Sequence, residues 1–349
     1  MTDQPNRHRR RRGPRFRAVV RGCAAALALT TLAACASQNS DAETDTDNPL
    51  YEAAKADGSL TWYTSVDTDT AEATAQAFEE RYPGVSVQVQ RLTTGQVTAR
   101  YSQERTAGSS PADVVTVGDP EFFVSGREDG WFETKPELPS LDGWPKDSYD
   151  QGVALVSIVP LGVTYNTNLV KEPPQQWEDL LDPAYKGKIQ FGDPRNVPAY
   201  LQLDYLLSRE LGDDFLEKIA AQKPAIFPSI VNATQTVASG GAELSVPGTR
   251  PTTELVKAKG APVEFIALSP TVGVEFSTAL ATDAPNADAG RLFYDYLLSK
   301  AGQEELNVNT VSPLGALPGT DPKPDGYEQI APDEADAQRS TILGQLGLR

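Results

Sequence analysis

The chain has 349 residues, of which 39% are hydrophobic, and its 48 acidic and 31 basic residues give a net charge of −17. A chain of this length can bury a core in two domains or two lobes. Its negative charge argues against nucleic acid as a partner, because phosphate binding depends on clustered lysine and arginine.

The N-terminal segment has the charge pattern of a secretory leader. Eight arginines between residues 7 and 21 precede a short run of alanine and leucine, which is the order found in signal peptides. The next residues, Leu32-Ala33-Ala34-Cys35, resemble the bacterial lipobox, in which the cysteine is acylated with diacylglycerol and becomes the new N-terminus. We therefore predict a leader over residues 1–34 and lipidation of Cys35. The alternatives are soluble secretion and a transmembrane helix over residues 22–36, which would be shorter than the about 20 apolar residues of a span.

Removal of this leader would narrow the chemistry that the chain can perform. The leader holds eight of the 31 basic and one of the 48 acidic residues, so 23 basic and 47 acidic residues would remain, a net charge of −24. It also holds the only histidine, His8, and one of the two cysteines, Cys23. The mature chain would therefore have no Ser-His-Asp or Cys-His catalysis, no histidine-ligated zinc and no structural disulfide.

The rest of the chain begins with a predicted flexible acidic tether over residues 35–49, which are polar and lack aromatic side chains. From Ser59 strands and helices alternate. "LTWYTS" predicts a strand, and "DTDTAEATAQAFEERYPG" predicts a helix with a capping box of Asp69 and Glu72. "VSVQVQRL" is typical of a half-exposed strand, and "ADVVTVGDP" of a strand buried on both faces.

Further strand and helix patterns continue this alternation to about residue 306. Trp177 is predicted to be a packing anchor, and Tyr294 and Tyr296 to be core and rim residues of one helix. Repeated alternation with short loops predicts an α/β fold with parallel or mostly parallel sheets covered by helices. In such sheets ligands bind beyond the carboxyl ends of the strands.

Five segments occur in a recognisable order along the chain: "LTWYTSVDTDTAEATAQAFEERYPGVSVQV", "PADVVTVGDPEFFVSGREDGWF", "GVTYNTNLVKEPPQQWEDLLDPAYKGKIQFGDPR", "ASGGAELSVPG" and "FYDYLLSKAGQEEL". This order resembles the substrate-binding proteins of bacterial ABC importers, and more narrowly their ferric-iron type, whose members also take up phosphonates, sugar phosphates and thiamine-like ligands. The resemblance covers about Ser59 to Thr320, and its most specific part is Tyr165 to Arg195.

This resemblance implies a two-lobed fold of the type II periplasmic-binding-protein class, with hinge crossover strands. Lobe one would comprise residues 50–164 and 275–349, ending in a C-terminal helix packed on that lobe, and lobe two residues 165–274. The implied function is that of a monomeric, non-enzymatic binding protein without a cofactor, which delivers a small solute to the permease subunits of an ABC importer. It would be exported and held at the outer face of the cytoplasmic membrane by its lipid alone.

The candidate ligand contacts lie where predicted strands end and helices begin. Amide groups at helix starts can receive an anion, glycine allows close approach, and the planar fork of an arginine grips carboxylate or phosphate. Asp119 has the alternative role of a helix cap, and Arg195 that of an ion pair with Asp193. The candidates are Tyr63, Thr64, Ser65, Gly118, Asp119, Arg195, Asn196, Asn232, Thr234 and Thr249.

The identity of the ligand is less defined by the sequence. Family members that bind bare ferric ion resemble one another in two adjacent tyrosines, often with a histidine or a carboxylate. This chain has no Tyr-Tyr pair, so Tyr63 and Tyr165 are the remaining candidate phenolate ligands for a metal. A chelated ferric complex, an anionic or phosphonate-like molecule and a small polar organic molecule remain as ligands, and Arg195 favours an anionic group.

A carboxylate-dependent hydrolase is the alternative from another class. Such an enzyme needs two carboxyl groups held at a working separation. Four residues could supply them, but no motif fixes any two together: Asp113, Asp119, Asp193 and Glu243.

Overall fold

The computed structural model describes residues 44–348. The predicted leader, the lipidation site Cys35 and most of the predicted tether lie outside this range. Within it, no helix combines the length and the apolar character needed to cross a membrane.

The described residues form eleven strands, β1 to β11 in chain order. Their bounds are Ser59–Thr64, Ser86–Arg91, Val114–Val117, Tyr149–Asp150, Val153–Pro160, Gly162–Asn166, Ile189–Gly192, Ala225–Phe227, Leu244–Gly248, Val263–Ile266 and Gly273–Leu280. They build two sheets, one of order β2-β1-β3-β11-β5-β4 and one of order β10-β6-β9-β7-β8.

Twelve α-helices, α1 to α12, cover these sheets within the described range. Their bounds are Tyr51–Asp57, Thr68–Arg81, Thr94–Thr106, Pro120–Glu128, Pro198–Leu211, Phe215–Ala221, Ile230–Ala238, Arg250–Lys257, Ala287–Leu298, Lys300–Leu306, Pro332–Ala337 and Arg339–Gln345. Short 3₁₀ helices span Pro139–Gly143, Lys146–Ser148, Trp177–Leu181 and Pro183–Tyr185.

The predicted two-lobed α/β fold is confirmed, although the strand pairing is more mixed than expected. Strand β1 runs parallel to β2 and β3, and β7 runs parallel to β8 and β9. The strands next to the crossings run the other way: β11 is antiparallel to β3 and β5, and β6 is antiparallel to β9 and β10. The antiparallel pairs arise because these strands carry the chain from one sheet to the other.

The central strands of the first sheet are buried on both faces because their successive side chains enter different layers, whereas the edge strand β2 is mostly exposed. Trp62 packs with helices α1, α2 and α9, whereas Tyr63 packs with the α3 and α4 layer. Tyr294 and Tyr296 of α9 are both buried, so the rim position predicted for one of them is wrong. Trp177 is fully buried in the second lobe and donates its indole N–H to the Pro270 carbonyl at 2.7 Å, which confirms it as a packing anchor.

Two predictions at helix starts and termini differ from the structure. Helix α2 is capped by Asp67, whose Oδ1 accepts from the Thr70 amide at 3.1 Å, and not by Asp69 with Glu72. Asp67 and Asp69 are both residues that commonly cap helices. Asp67 is the cap because the helix begins at Thr68, soon after the end of β1. The last residues of the predicted tether are also attached, because Asp45 pairs with Arg81 at 3.1 Å and Asn48 donates to Asp295 at 3.2 Å.

The chain crosses between the sheets at places slightly different from those expected. It leaves the first sheet at Leu161, between β5 and β6, and returns between β10 and β11. The expected boundaries at residues 164 and 274 therefore fall inside strands β6 and β11.

The C-terminal segment was predicted to pack on lobe one, but it packs on lobe two. Helices α11 and α12 contact α5 and α6 of the second lobe. Four side chains of this segment belong to the second lobe's apolar core: Ile330, Ala335, Ile342 and Leu346. These side chains are buried against α5 and α6, so the chain crosses between the lobes a third time.

We predict that Gly162→Ala destabilises the protein by about 1–3 kcal/mol or more, the usual cost of overpacking. A Cβ at Gly162 would overlap the Ile266 carbonyl oxygen, which belongs to backbone and cannot move aside. Urea unfolding at 25 °C measures this. The matched control is Gly344→Ala in helix α12, where a Cβ meets no atom within 4 Å, and which should be neutral or stabilising. Equal stability of the Gly162 variant and the wild type would contradict the close packing.

Candidate ligand-binding cleft

A cavity of about 490 Å³ lies between the two lobes. The turn after β3 and the start of α5 line it from opposite lobes, and the hinge strand β11 and the C-terminal segment close its other sides. Because β3 ends at this turn and α5 follows β7, the cavity lies at the carboxyl edges of both sheets, where α/β sheets bind ligands. Its volume is within the range of small-molecule sites.

Gly118 and Asp119 line this cavity, and both also have structural roles. A Cβ at Gly118 would lie 2.9 Å from Cγ1 of Val274, so the glycine lets the hinge strand pass close to the turn. Asp119 Oδ1 accepts from the Phe122 amide at 3.2 Å and caps helix α4. The alternative role foreseen for Asp119 is therefore present, and the residue remains at the cavity wall.

The end of strand β1 presents less to solvent than expected. Tyr63 is 1% exposed and its ring lies under the Arg100 guanidinium, so its place at the ligand was wrongly predicted. Thr64 is fully buried, and its hydroxyl accepts from the Val66 amide at 3.1 Å. Ser65 is 7% exposed and its Oγ accepts from the Thr94 hydroxyl at 2.9 Å. Of the three, Ser65 lies closest to the sheet edge.

Arg195 and Asp193 form a bidentate ion pair in the turn before α5. Nε donates to Oδ1 at 2.9 Å and Nη2 to Oδ2 at 2.7 Å. This hydrogen bonding by Arg195 lowers the pKa of the Asp193 carboxyl. The pair that was foreseen as the alternative is present, and it holds the guanidinium and the exposed Asn196 at the carboxyl edge of the second sheet.

The remaining candidates of the second lobe divide into two groups. Asn232 is exposed near the start of α7, and Thr249 precedes α8, with its hydroxyl 2.8 Å from that of Thr252. Thr234, two residues further along α7, is fully buried, and its hydroxyl has no hydrogen-bond partner within residues 44–348. The prediction that it reaches the cleft is therefore wrong. Thr234 faces the sheet because its neighbours Ala233 and Val237 are the apolar stripe of that helix.

The two phenolate candidates for a metal do not share a site. Tyr63 lies in the α3 layer of the first lobe, whereas Tyr165 pairs with Leu244 at the start of β9, the end opposite to the cleft. Among residues 44–348, no group of three or more histidine, cysteine, aspartate or glutamate side chains is placed to hold a metal ion.

A hydrogen-bonded group at the hinge was not foreseen from the sequence. The Tyr327 hydroxyl donates to Glu275 Oε1 at 2.5 Å, and the Gln329 amide donates to the same oxygen at 2.9 Å. Burial, reinforced by the charge of Glu275, raises the pKa of the Tyr327 phenol, which stays a donor. The group joins strand β11 to the third crossing, and no sequence pattern connects residues about 50 positions apart.

Arg250 and Asp321 form a second contact between lobes. Arg250 Nη1 lies 2.8 Å from Asp321 Oδ1. Arg250 begins α8 of the second lobe, whereas Asp321 belongs to a loop that bonds to Thr310 beside strand β5 of the first.

Comparison with known families identifies the class of protein. The profile of the family described as bacterial extracellular solute-binding protein matches residues 60–308. The chain therefore belongs to this family, and the resemblance to substrate-binding proteins of ABC importers is confirmed. An uncharacterised protein of Haemophilus influenzae is 29% identical over 266 residues, which are 72% of this chain and 76% of the relative.

Solved structures share the fold at low sequence identity. Iron-bound HitA from Pseudomonas aeruginosa has a TM-score of 0.65 at 18% identity, over 82% of this chain and 99% of the other. AfuA from Actinobacillus pleuropneumoniae, with fructose-6-phosphate bound, has a TM-score of 0.64 at 23% identity, over 84% and 99%. A substrate-binding protein of an ABC transporter from Agrobacterium tumefaciens has a TM-score of 0.71 at 16% identity, over 82% and 94%.

We predict that Arg195→Gln raises the pKa of Asp193 towards its ordinary value, because the variant removes the main cause of the depression. The pKa of Asp193 is lower in the folded protein than in the unfolded chain. The ion pair therefore stabilises the fold at pH values above the pKa of Asp193 in the unfolded chain, and this contribution is lost as the pH falls through its pKa in the folded protein. A carbon-13 NMR titration of the side-chain carboxyls measures the change. Arg127→Gln, which breaks the separate pair with Asp150, should leave Asp193 unchanged. An unaltered Asp193 pKa in the Arg195 variant would show that the pair does not form in solution.

Proposed function

We propose that this protein is the solute receptor of an ABC importer, which captures a small anionic solute between its lobes and hands it to the permease. The observation that carries the proposal is the cavity of about 490 Å³ bounded by the turn after β3 in lobe one, by the start of α5 in lobe two and by the hinge. A ligand that contacts both walls stabilises a closed arrangement, and closure of hinged domains around a ligand is an established kind of motion.

The ligand that we propose is an organic oxyanion or a chelated ferric ion, and not a bare ferric ion. The two tyrosines available as phenolate ligands lie in separate places, whereas Arg195 and hydroxyl groups lie at the sheet edges. Related folds carry such ligands: AfuA holds fructose-6-phosphate, and a Trichodesmium protein (IdiA, FutA) was solved with iron and citrate. Of the candidate contacts, Gly118 and Asp119 line the cavity itself. We propose that five further residues, which lie outside its lining, reach the solute when the lobes close: Ser65, Arg195, Asn196, Asn232 and Thr249.

The hydrolase alternative has no assembled pair of carboxyl groups to support it. Asp113 is fully buried and accepts from the amides of Thr61 and Asn286. Glu243 pairs with Lys188 at 2.8 Å, and the two remaining candidates are the cap Asp119 and the paired Asp193. Asp113 and Glu243 lie at the amino ends of β3 and β9, away from the cleft. Asp119 and Asp193 lie at the carboxyl edges of opposite lobes, and each is already engaged, as a helix cap and in an ion pair, so binding without turnover fits them better.

A thermal-shift screen tests the proposed function. The panel is ferric citrate, fructose 6-phosphate, a phosphonate, thiamine and a polyamine. A true ligand at 100 times its Kd should stabilise the protein by about 2.7 kcal/mol. If none of these solutes stabilises it, the proposal loses its support.

A pair of variants on helix α4 shows whether the cavity is the binding site. Glu121 lines the cavity, whereas Glu128, which is also exposed and lies on the same helix, does not. Glu121→Trp should fill part of the cavity and remove most of the ligand's stabilising effect, and Glu128→Trp should preserve it. Equal stabilisation of both variants in the same screen would place the ligand elsewhere.

We further propose that Cys35 carries the lipid that holds the protein at the outer face of the cytoplasmic membrane. Two acyl chains anchor far more firmly than one. In the native host, Cys35→Ala should move the protein from the membrane fraction to the soluble exported fraction, as measured by fractionation and by mass spectrometry of the N-terminus. A Cys35→Ala protein that stays with the membrane would contradict this anchor.

A further inference from the structure

Two arginines of the described residues differ from the others because they form no ion pair. Among residues 44–348 there are ten arginines, and eight form an ion pair within 4.0 Å. Arg91 and Arg105 form no such pair with the part of the chain that the structure describes. In a protein with 48 acidic residues, an arginine that no carboxylate neutralises is a candidate for binding an anion from outside.

Arg91 lies at the edge of the first sheet where ligands are expected. It is the last residue of β2 and pairs in parallel register with Thr64, the last residue of β1. Its Nε donates to the carbonyl oxygen of Val66 at 3.1 Å, in the turn between β1 and α2. Since a guanidinium has five N–H donors, this hydrogen bond fixes the group over the turn and commits only one of them.

The surroundings of Arg91 favour a negative group. The hydroxyls of Ser65 and Thr94 meet at 2.9 Å beside the same turn. Helices α2 and α3, of 14 and 13 residues, both begin there and direct the positive ends of their dipoles to the sheet edge. The nearby carboxylate Asp67 caps α2 through the Thr70 amide.

From this geometry we propose that Arg91, with Ser65 and Thr94, binds the oxyanion of the solute, a phosphate or carboxylate group, on the side of lobe one. This inference rests on the proposed function and names the residue that selects the ligand's charge. Arg195 would then hold the solute from the opposite lobe. A planar guanidinium already oriented by Val66 grips two oxygens of such a group with little loss of entropy.

Isothermal titration of fructose 6-phosphate, citrate and neutral fructose into variants of the protein tests the inference. Arg91→Gln should weaken binding of the anions by roughly 10- to 100-fold, as expected for loss of hydrogen bonds to a charged group. The matched control is Arg105→Gln, which makes the same change of charge. Arg105 donates to the Thr282 carbonyl at 2.7 Å, at the opposite end of the sheet, and its variant should keep the wild-type affinity.

Three outcomes would overturn the proposal. They are equal anion binding by Arg91→Gln and wild type, equal losses in Arg91→Gln and Arg105→Gln, and no binding of either anion to the wild type. In the last case, stabilisation by ferric citrate in the thermal screen would leave the proposed function standing. Stabilisation by thiamine or a polyamine alone would contradict the anionic solute, and no stabilisation by any solute would remove both proposals.

A second variant protects the test against a folding defect. Should Arg91→Gln lose the native circular dichroism spectrum, Arg91→Lys decides the question, because it keeps the charge and loses the planar fork. It should bind the anions several-fold more weakly than the wild type. Unchanged affinity of the lysine variant would then count against the role of the fork in holding the oxyanion.

Discussion

Close backbone packing at the chain crossings is the constraint on which the cleft depends. Gly162 lies against the Ile266 carbonyl, and a Cβ at Gly273 would lie 2.9 Å from the Val159 carbonyl oxygen. Gly118 brings the β3 turn against the same hinge strand. Because Gly162 and Gly273 lack side chains, the two crossing segments can pack closely against neighbouring backbone. Gly118 allows the same close packing at the cavity wall.

The third crossing adds a connection that two crossings would lack. Val311 pairs with Ile158 of the first lobe, Tyr327 pairs with Thr271 at the second crossing, and α11 and α12 end on the second lobe. Each lobe has its own apolar core, so we expect each to behave as a stiff body. Motion between the lobes is therefore confined to the crossings, because packed cores resist continuous deformation.

Local pattern predicted most of the fold but could not predict contacts between distant segments. The α/β alternation, the buried strand β3 and the packing of Trp177 follow from residues close in sequence, and all are present. The lobe on which Ile342 packs depends on contacts of α12 with α5 and α6, which lie more than 100 residues away and which no local pattern describes.

The same limit applies to the candidate site. Two residues chosen because they follow a strand, Gly118 and Asp119, line the cavity, and their contact with a ligand stays a prediction. Tyr63 was misplaced because a single-residue shift turns a strand side chain to the other face. Arg91 ends a strand that was predicted, but its lack of an ion pair is a property of three-dimensional neighbours, which the sequence does not contain.

The central claim is that two stiff lobes close on a solute held between them. Small-angle X-ray scattering tests it most directly, with and without a saturating amount of the solute that stabilises the protein most. The account predicts a smaller radius of gyration in the bound protein, because closure brings the lobes together. An unchanged radius of gyration with the solute demonstrably bound would contradict it.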